Sequence, residues 1–185
     1  EKKYFISGRH EALNLCACIA ILKLIDVNID GIVSSFEKRK LLPHRVEFIN
    51  KHNDITFIND SKSTNVSSLK NALISVNDNN IILIMGGDNK KTSYQSLNNI
   101  INENVKLLVL IGDNYDQIDA EISVNVQRKF FKYLEEATEY VFSKMQSGDT
   151  VLFSPGSSSF YMYNNFEERG NHFKKIVNDY VNSKG

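Results

Sequence analysis

Two apolar runs that end in glycine limit the folds open to this chain more than any other feature of its sequence. Residues 81–85 are continuously apolar and precede Gly86 and Gly87, while residues 105–111 contain one lysine and precede Gly112. Runs of this length, rich in isoleucine, leucine and valine, are typical of strands buried on both faces. Strands of that kind occur in parallel sheets covered by helices, so the chain is predicted to be an α/β protein.

Segments with helical spacing of apolar residues alternate with the apolar runs. The other predicted strands cover residues 46–49, 55–58 and 151–153, with a turn at 51–54 between the first two. The predicted helices cover residues 66–76, 94–101, 134–145 and 170–181. This alternation predicts a Rossmann-like, mostly parallel sheet with helices on both faces.

The start of the chain is predicted to be a short helical tail of a preceding domain. Apolar residues recur at helical spacing over 11–25, and a second helix is predicted over 30–40. Leu42-Pro43 ends this pattern, because proline disfavours helix for the residue before it. The domain junction is therefore placed here, with residues 1–41 before it and 42–185 after it. The chain opens without a methionine and is interpreted as a fragment of a longer protein.

Composition argues against several classes of function. The formal net charge is zero, and the lysines and arginines are scattered, so nucleic acid and anionic membrane are not expected partners. No apolar run approaches the ~20 residues that cross a bilayer. Cys16 and Cys18 point in different directions on a helix and are interpreted as two buried thiols in a reducing cytoplasm.

Three predicted strands end in unusually polar loops. Helix capping and turn formation explain each loop taken alone. Together they bring lysine, hydroxyl and helix-start amide donors to one edge of the sheet, where ligands of open α/β sheets bind. A site for a small anion, such as a carboxylate or a phosphate, is therefore expected. The loops are Asn-Asp-Ser-Lys-Ser-Thr-Asn at 59–65, Gly-Gly-Asp-Asn-Lys-Lys at 86–91 and Ser-Pro-Gly-Ser-Ser-Ser at 154–159.

Several motifs of other enzymes do not occur in the sequence. It contains no Gly-x-x-x-x-Gly-Lys-Ser/Thr phosphate loop, no Gly-x-Gly-x-x-Gly and no Gly-x-Ser-x-Gly. The histidines show no metal-ligand spacing with one another or with the cysteines, so no metal site is predicted. The residues alone therefore predict an anion-binding α/β domain.

Six motifs in a fixed order resemble the Mur ligase family, over essentially the whole chain. Gly-Arg-His-Glu-Ala-Leu-Asn at 8–14 is similar to the family's Gly-x-His-Asn-x-x-Asn helix start, and Leu-Pro-His-Arg-Val-Glu at 42–47 resembles its interdomain hinge. Residues 59–65 resemble the Asn-Asp-Ser-Lys-Ala-Thr-Asn of the D-glutamate-adding members, whereas other members carry different sequences there. The remaining motifs follow in the family's order at 86–90, 154–159 and 165–170.

The resemblance implies an ATP-dependent, amide-forming ligase of peptidoglycan precursor synthesis in the bacterial cytoplasm. In the family's reaction, which uses Mg²⁺, ATP phosphorylates the terminal carboxylate of UDP-N-acetylmuramoyl-L-alanine. The amine of D-glutamate then attacks the acyl phosphate, and phosphate leaves. Residues 1–41 would be the last helices of the family's central ATP-binding domain, and 42–185 its D-glutamate-binding domain.

Carried over motif by motif, the resemblance implies two sets of binding residues. The set for ATP is Asn14, Arg45 and Asp60, and Lys62 is predicted to reach a phosphate. The set for D-glutamate is Thr64, Lys90, Ser159, Phe160 and Phe166. No catalytic residue is assigned within the chain.

Two positions depart from the family's pattern, and two other readings stay open. Glu11 stands where the family has asparagine, which suits the helix dipole but is unfavourable beside ATP phosphates. Gly156-Ser157-Ser158 replaces the family's Ala-Cys-Ala.

The family's uridine-binding domain and phosphate loop would precede Glu1, so the chain alone is expected to be an inactive monomer that holds neither ATP nor Mg²⁺. The alternatives are a stand-alone binding module for a small dicarboxylate and a related ligase such as a folylpolyglutamate synthase.

Overall fold

The computed structural model describes residues 9–28, 42–76, 78–88 and 92–184, apart from the side chains of residues 9–12 and 14. The chain divides into two units, Glu1–Leu42 and Pro43–Gly185. In the first unit, helix α1 covers Arg9–Leu24. The helix predicted over 30–40 lies outside the described residues. Cys16 and Cys18 are exposed, so the prediction of two buried thiols is wrong. None of the described helices has the length and apolar character needed to cross a membrane.

The second unit is built on a six-stranded sheet with the strand order β1-β2-β6-β3-β4-β5. Its strands are β1 (Glu47–His52), β2 (Ile55–Asn59), β3 (Ile81–Gly87), β4 (Val105–Gly112), β5 (Gln127–Phe131) and β6 (Thr150–Phe153). The hairpin of β1 and β2 is antiparallel. All other neighbouring strands are parallel. The predicted α/β fold with a mostly parallel sheet is therefore confirmed.

Five helices of the second unit connect or follow these strands. They are α2 (Val66–Val76), α3 (Asn98–Asn104), α4 (Tyr115–Glu121), α5 (Leu134–Lys144) and α6 (Phe166–Lys184). The helix predicted over 94–101 is a 3₁₀ turn, Gln95–Leu97, followed by α3. Helix α6 begins earlier than predicted, because Asn165 caps it by accepting a hydrogen bond from the Glu168 backbone amide at 2.7 Å. Helix α4 and strand β5 were not predicted.

The core has two layers, one on each face of the sheet. Alternate side chains of β3 enter opposite layers, with Leu83 in the first and Ile84 in the second. Leu73 of α2 packs in the first layer, while Val141 of α5 and Phe173 of α6 pack in the second. Helices therefore cover both faces, and polar loops leave the sheet at its strand ends.

Strands β3 and β4 approach each other closely at their carboxyl ends. Gly86 has a φ of +116°, and a Cβ built there would overlap the carbonyl oxygen of Ile111. Gly148 has a φ of +90°, but nothing lies within 4 Å of a Cβ built on it. The two glycines therefore share a backbone conformation that favours glycine but differ in the space around them.

We expect Gly86→Ala to lower the free energy of unfolding by about 1–3 kcal/mol more than Gly148→Ala, because only the first substitution adds an overlap to the backbone strain. Urea denaturation of the two variants measures the difference. Equal losses at both positions would contradict the close approach of β3 and β4.

Candidate functional site

The three polar loops leave from neighbouring strands, because β6 lies between β2 and β3. Backbone hydrogen bonds join them directly. The amide of Asp60, after β2, donates to the carbonyl of Phe153 at 2.7 Å, and the amide of Gly86 donates to the carbonyl of Pro155 at 2.8 Å. The three loops therefore meet at one edge of the sheet, the edge where the parallel strands have their carboxyl ends, as the sequence predicts.

Arg169 of α6 lies beneath two of these loops and is 1% exposed. Its Nε donates to the hydroxyl oxygen of Ser61 at 3.0 Å, and its Nη2 donates to the carbonyl of Ser61 at 2.8 Å. Its Nη1 donates to the carbonyls of Ser157 and Ser158 at 3.0 and 2.9 Å. The guanidinium thus fixes the loop after β2 against the loop after β6. Sequence reasoning placed Arg169 within a motif but gave it no role.

Burial lowers the pKa of Arg169 to about 10, while the nearby Tyr163, Asp88 and Asp60 act in the opposite direction. The side chain therefore keeps its positive charge at neutral pH. A buried positive charge at the edge where the polar loops meet favours a negatively charged ligand there.

Asp60 is 6% exposed, and both of its carboxylate oxygens have partners within the chain. Oδ1 accepts a hydrogen bond from the amide of Val46 at 3.1 Å, and Oδ2 accepts one from the hydroxyl of Ser154 at 2.7 Å. Burial raises the pKa of Asp60 to about 7, although these hydrogen bonds and the charges of Arg45 and Arg169 lower it. Asp60 links the start of the second unit to the loop after β6. Its predicted contact with ATP stays a prediction.

Lys62 and Phe166 lie together, although the resemblance assigns them to different ligands. The Nζ of Lys62 lies 3.6 Å from the centroid of the Phe166 ring. The hydroxyl of Ser61 donates to the carbonyl of Phe166 at 2.9 Å, which holds the start of α6 against the same loop. Thr64 follows in this loop and is half-buried.

The other predicted site residues are spread over several positions. Ser159 is buried, and its carbonyl accepts a hydrogen bond from the amide of Tyr163 at 2.9 Å. Phe160 is 73% exposed at the same edge. Arg45 is exposed near the start of the second unit. Lys90 and the side chain of Asn14 lie outside what the structure describes.

A buried polar network, which the sequence did not reveal, supports the loops after β3, β4 and β6. Nδ2 of Asn114 donates to the hydroxyl oxygens of Tyr94 and Ser157, both at 2.8 Å. Oδ1 of Asn114 accepts from the amide of Gly87 at 2.9 Å. The hydroxyl of Ser158 donates to the Asp88 carboxylate at 2.5 Å. Polar residues far apart in the chain thus fix the geometry of the edge.

The hinge motif is also fixed to the second unit. His44 is buried with a φ of +64°, and its Nδ1 lies 2.9 Å from Nδ2 of Asn59. Burial lowers the pKa of His44, which favours the neutral ring that this contact requires. Gly170 packs against the ring, since a Cβ at Gly170 would overlap it.

Two cationic side chains lie where these polar loops meet. Carbonyl oxygens and the Ser61 hydroxyl oxygen accept hydrogen bonds from the buried, positively charged Arg169, and Lys62 adds a second cation at the same loop. Among the described residues, no group of three or more histidine, cysteine, aspartate or glutamate side chains is placed to hold a metal ion.

Comparisons with known proteins agree on one family. The profile described as "Mur ligase, glutamate ligase domain" matches residues 44–156. The UDP-N-acetylmuramoylalanine–D-glutamate ligase of Chlamydia felis is 34% identical over 171 residues, covering 92% of this chain and 41% of the relative. The enzyme of the same name from Buchnera aphidicola is 35% identical over 184 residues, covering 97% of this chain and 40% of the relative. The chain thus spans about two fifths of the length of the curated relatives it matches.

Solved structures share the fold at low sequence identity. The UDP-N-acetylmuramate-alanine ligase MurC of Thermotoga maritima superimposes with a TM-score of 0.67 at 15% identity, covering 95% of this chain and 39% of that one. A pseudomurein peptide ligase type C from Methanothermus fervidus gives 0.68 at 17% identity, covering 93% and 36%. The MurF ligase of Thermotoga maritima, solved in complex with ADP, gives 0.65 at 14% identity, covering 93% and 39%.

We expect Asp60→Asn to gain stability relative to the unsubstituted protein as the pH rises from about 4 to 8. The pKa of Asp60 in the folded protein, about 7, lies above the ordinary value of 3.8, so its stabilising contribution is complete below pH 4 and is lost as the pH rises through 7. The loss is on the order of 1.4 kcal/mol per unit of pKa shift. Urea denaturation of both proteins at pH 4.5 and pH 8 measures it, and a stability difference that does not change with pH would contradict the raised pKa.

We expect Ser63→Ala to leave the free energy of unfolding unchanged or to raise it by about 1 kcal/mol. Among the described residues, the Ser63 hydroxyl is the buried side-chain polar atom without a hydrogen-bond partner. The matched control is Ser61→Ala, which removes the hydroxyl between Arg169 and Phe166 and should cost about 2 kcal/mol. Chemical denaturation compares them, and a larger loss at Ser63 would show that its hydroxyl has a partner.

Proposed function

The chain belongs to the Mur ligase family, and from this we propose that it is the carboxyl-terminal part of a ligase that joins D-glutamate to UDP-N-acetylmuramoyl-L-alanine with ATP. The curated relatives named for this reaction match across 92–97% of the chain. In this proposal residues 1–41 belong to the central ATP-binding domain, and residues 42–185 form the domain that binds D-glutamate.

One observation carries the proposal most directly, namely the junction of the loops after β2 and β6 around the buried charge of Arg169. The first loop contains Lys62 and Thr64, and the second contains Ser159. The guanidinium holds both loops by hydrogen bonds of 2.8–3.0 Å. D-Glutamate is a small dicarboxylate, and cationic and hydroxyl donors at one sheet edge match its chemistry.

In this proposal the chain binds and orients D-glutamate for attack on an acyl phosphate. The carboxylates of the amino acid are bound by Thr64, Lys90 and Ser159 and by the backbone near Phe160 and Phe166. Tight carboxylate binding leaves the amine of D-glutamate free and directs it toward the reacting carbonyl.

In this proposal ATP is bound by a second set of residues. Asn14, Arg45 and Asp60 contact ATP, and Lys62 lies toward a phosphate. Mg²⁺ serves the full-length enzyme, where it neutralises phosphate charge. In this proposal the chain by itself holds neither ATP nor Mg²⁺. The enzyme acts as a monomer in the bacterial cytoplasm and supports wall synthesis, cell shape and division.

Two other functions fit less well. A stand-alone dicarboxylate-binding module would explain the polar loops at the edge of the sheet, but relatives with 34–35% identity over more than nine tenths of the chain are named as ligases. A folylpolyglutamate synthase is disfavoured because curated relatives with 34–36% identity are named D-glutamate ligases.

We expect the full-length gene product to release phosphate from ATP only when D-glutamate and UDP-N-acetylmuramoyl-L-alanine are both present. Thr64→Ala and Ser159→Ala should each raise the KM for D-glutamate about 10-fold or more, because each removes a hydrogen bond to a charged carboxylate. A coupled phosphate-release assay measures this.

Ser143→Ala is the matched control, since the Ser143 hydroxyl is exposed on α5 and donates only to the Tyr140 carbonyl at 2.7 Å. Residues 1–185 alone should show no turnover, and calorimetry should find only weak D-glutamate binding. Activity with L-glutamate or with a folate in place of these substrates would overturn the proposed function.

A further inference from the structure

Arg169 differs from an ordinary buried arginine in the nature of its partners. The four hydrogen bonds that it donates end on three carbonyl oxygens and one hydroxyl oxygen, all uncharged. Within the described part of the chain, no carboxylate lies within ion-pair distance of its guanidinium, although the described ion pairs include lysine, histidine and Arg128. Its charge is therefore buried without a contacting counter-charge.

The carboxylates of Asp88 and Asp60 act on this charge without contacting it, and each has another partner. The Asp88 carboxylate accepts a hydrogen bond from Ser158, and Asp60 is partly protonated at neutral pH because burial raises its pKa to about 7. A buried charge is unfavourable unless an opposite charge compensates it. A ligand carboxylate at this edge would supply that compensation.

The position of Arg169 also controls the groups expected to touch the ligand. Ser61 directly precedes Lys62 in the loop that contains Thr64, and Ser158 directly precedes Ser159. Because the guanidinium is planar and its donors diverge, its four bonds set the separation between these two loops.

The loop after β3 packs over the same group. A Cβ built on Gly87 would lie 2.6 Å from the Ser158 carbonyl and 3.4 Å from Nη1 of Arg169. All three polar loops therefore meet around one side chain, and a change in its shape would displace each of them.

We propose that Arg169 is a positioning residue for the amino-acid substrate. Its guanidinium holds the loops after β2 and β6 at the separation that carboxylate binding requires, and its charge, which no described carboxylate contacts, strengthens that binding. This inference rests on the proposed function, because it assigns the ligand as an amino-acid dicarboxylate. Lysine in its place would keep the charge but could not reach carbonyls on both loops from a single nitrogen.

Arg128 provides a matched control. Its guanidinium also makes several hydrogen bonds, to the carbonyls of Asp119, Ile122 and Val124 and to the Asp119 carboxylate. It joins β5 to α4 and the segment after α4, and none of its partners belongs to the three polar loops. Arg128→Lys therefore perturbs another arginine with several hydrogen bonds, one that is less buried than Arg169, without touching the proposed site.

The test compares Arg169→Lys, Arg169→Met and Arg128→Lys in the full-length enzyme, with D-glutamate and ATP varied separately. We expect Arg169→Lys to raise the KM for D-glutamate at least 10-fold while the KM for ATP changes less than 3-fold. Arg169→Met, which also removes the charge, should raise the KM for D-glutamate further. Arg128→Lys should change neither value more than 3-fold. Thermal unfolding of each variant reports the folded fraction. If Arg169→Met does not fold, the comparison of Arg169→Lys with Arg128→Lys remains as the test.

Two results would overturn the inference, and they differ from failure of the proposed function. In the first, Arg169→Lys lowers kcat in proportion to the loss of folded protein and leaves the KM for D-glutamate unchanged. In the second, Arg128→Lys raises that KM as much as Arg169→Lys does. Unsubstituted enzyme that does not use D-glutamate would instead overturn the proposed function and this inference together.

Discussion

The hydrogen bonds of the buried Arg169 guanidinium are the interaction on which the edge of the sheet depends. They tie α6 to the loops after β2 and β6, which also meet through the backbone bond from Asp60 to Phe153 and the bond from the Ser154 hydroxyl to the Asp60 carboxylate. Hydrogen bonds to a charged donor contribute about 1.5–3 kcal/mol each, and an unpaired buried charge is costly. Oxygen atoms of the loops therefore satisfy the hydrogen-bond donors of the guanidinium, and the same hydrogen bonds hold the loops in place.

The two-layer core makes such an edge possible. Because helices cover both faces of the sheet, the polar residues collect where the parallel strands end. Asp60 extends this arrangement toward the start of the unit, since its carboxylate joins the amide of Val46 to the hydroxyl of Ser154. The residue that the resemblance assigns to ATP is thus bonded to the loop that carries Ser159.

The sequence reveals those parts of the fold that depend on local pattern. Strands β3 and β4 can be predicted from the sequence because their apolar runs end in glycine. The meeting of the polar loops can be predicted because parallel strands have their carboxyl ends on the same side of the sheet. Strand β5 was missed because its first three residues, Gln127, Arg128 and Lys129, are polar, so it contains no apolar run. The network of Asn114, Tyr94 and Ser157 was missed because its members are far apart in the chain. Burial of Asp60 and of Arg169 is likewise a tertiary property, and motif order alone gives no sign of it.

The central claim is that the edge formed by the loops after β2, β3 and β6 binds the carboxylates of D-glutamate. Titration of the ¹⁵N-labelled chain with D-glutamate, followed through its backbone amide signals, tests this most directly. The account predicts saturable changes at Thr64, Ser159 and Phe160, with little change at Arg128 and weaker effects from L-glutamate. Saturable changes centred on β5 and α4, with the signals of Thr64 and Ser159 unmoved, would contradict it.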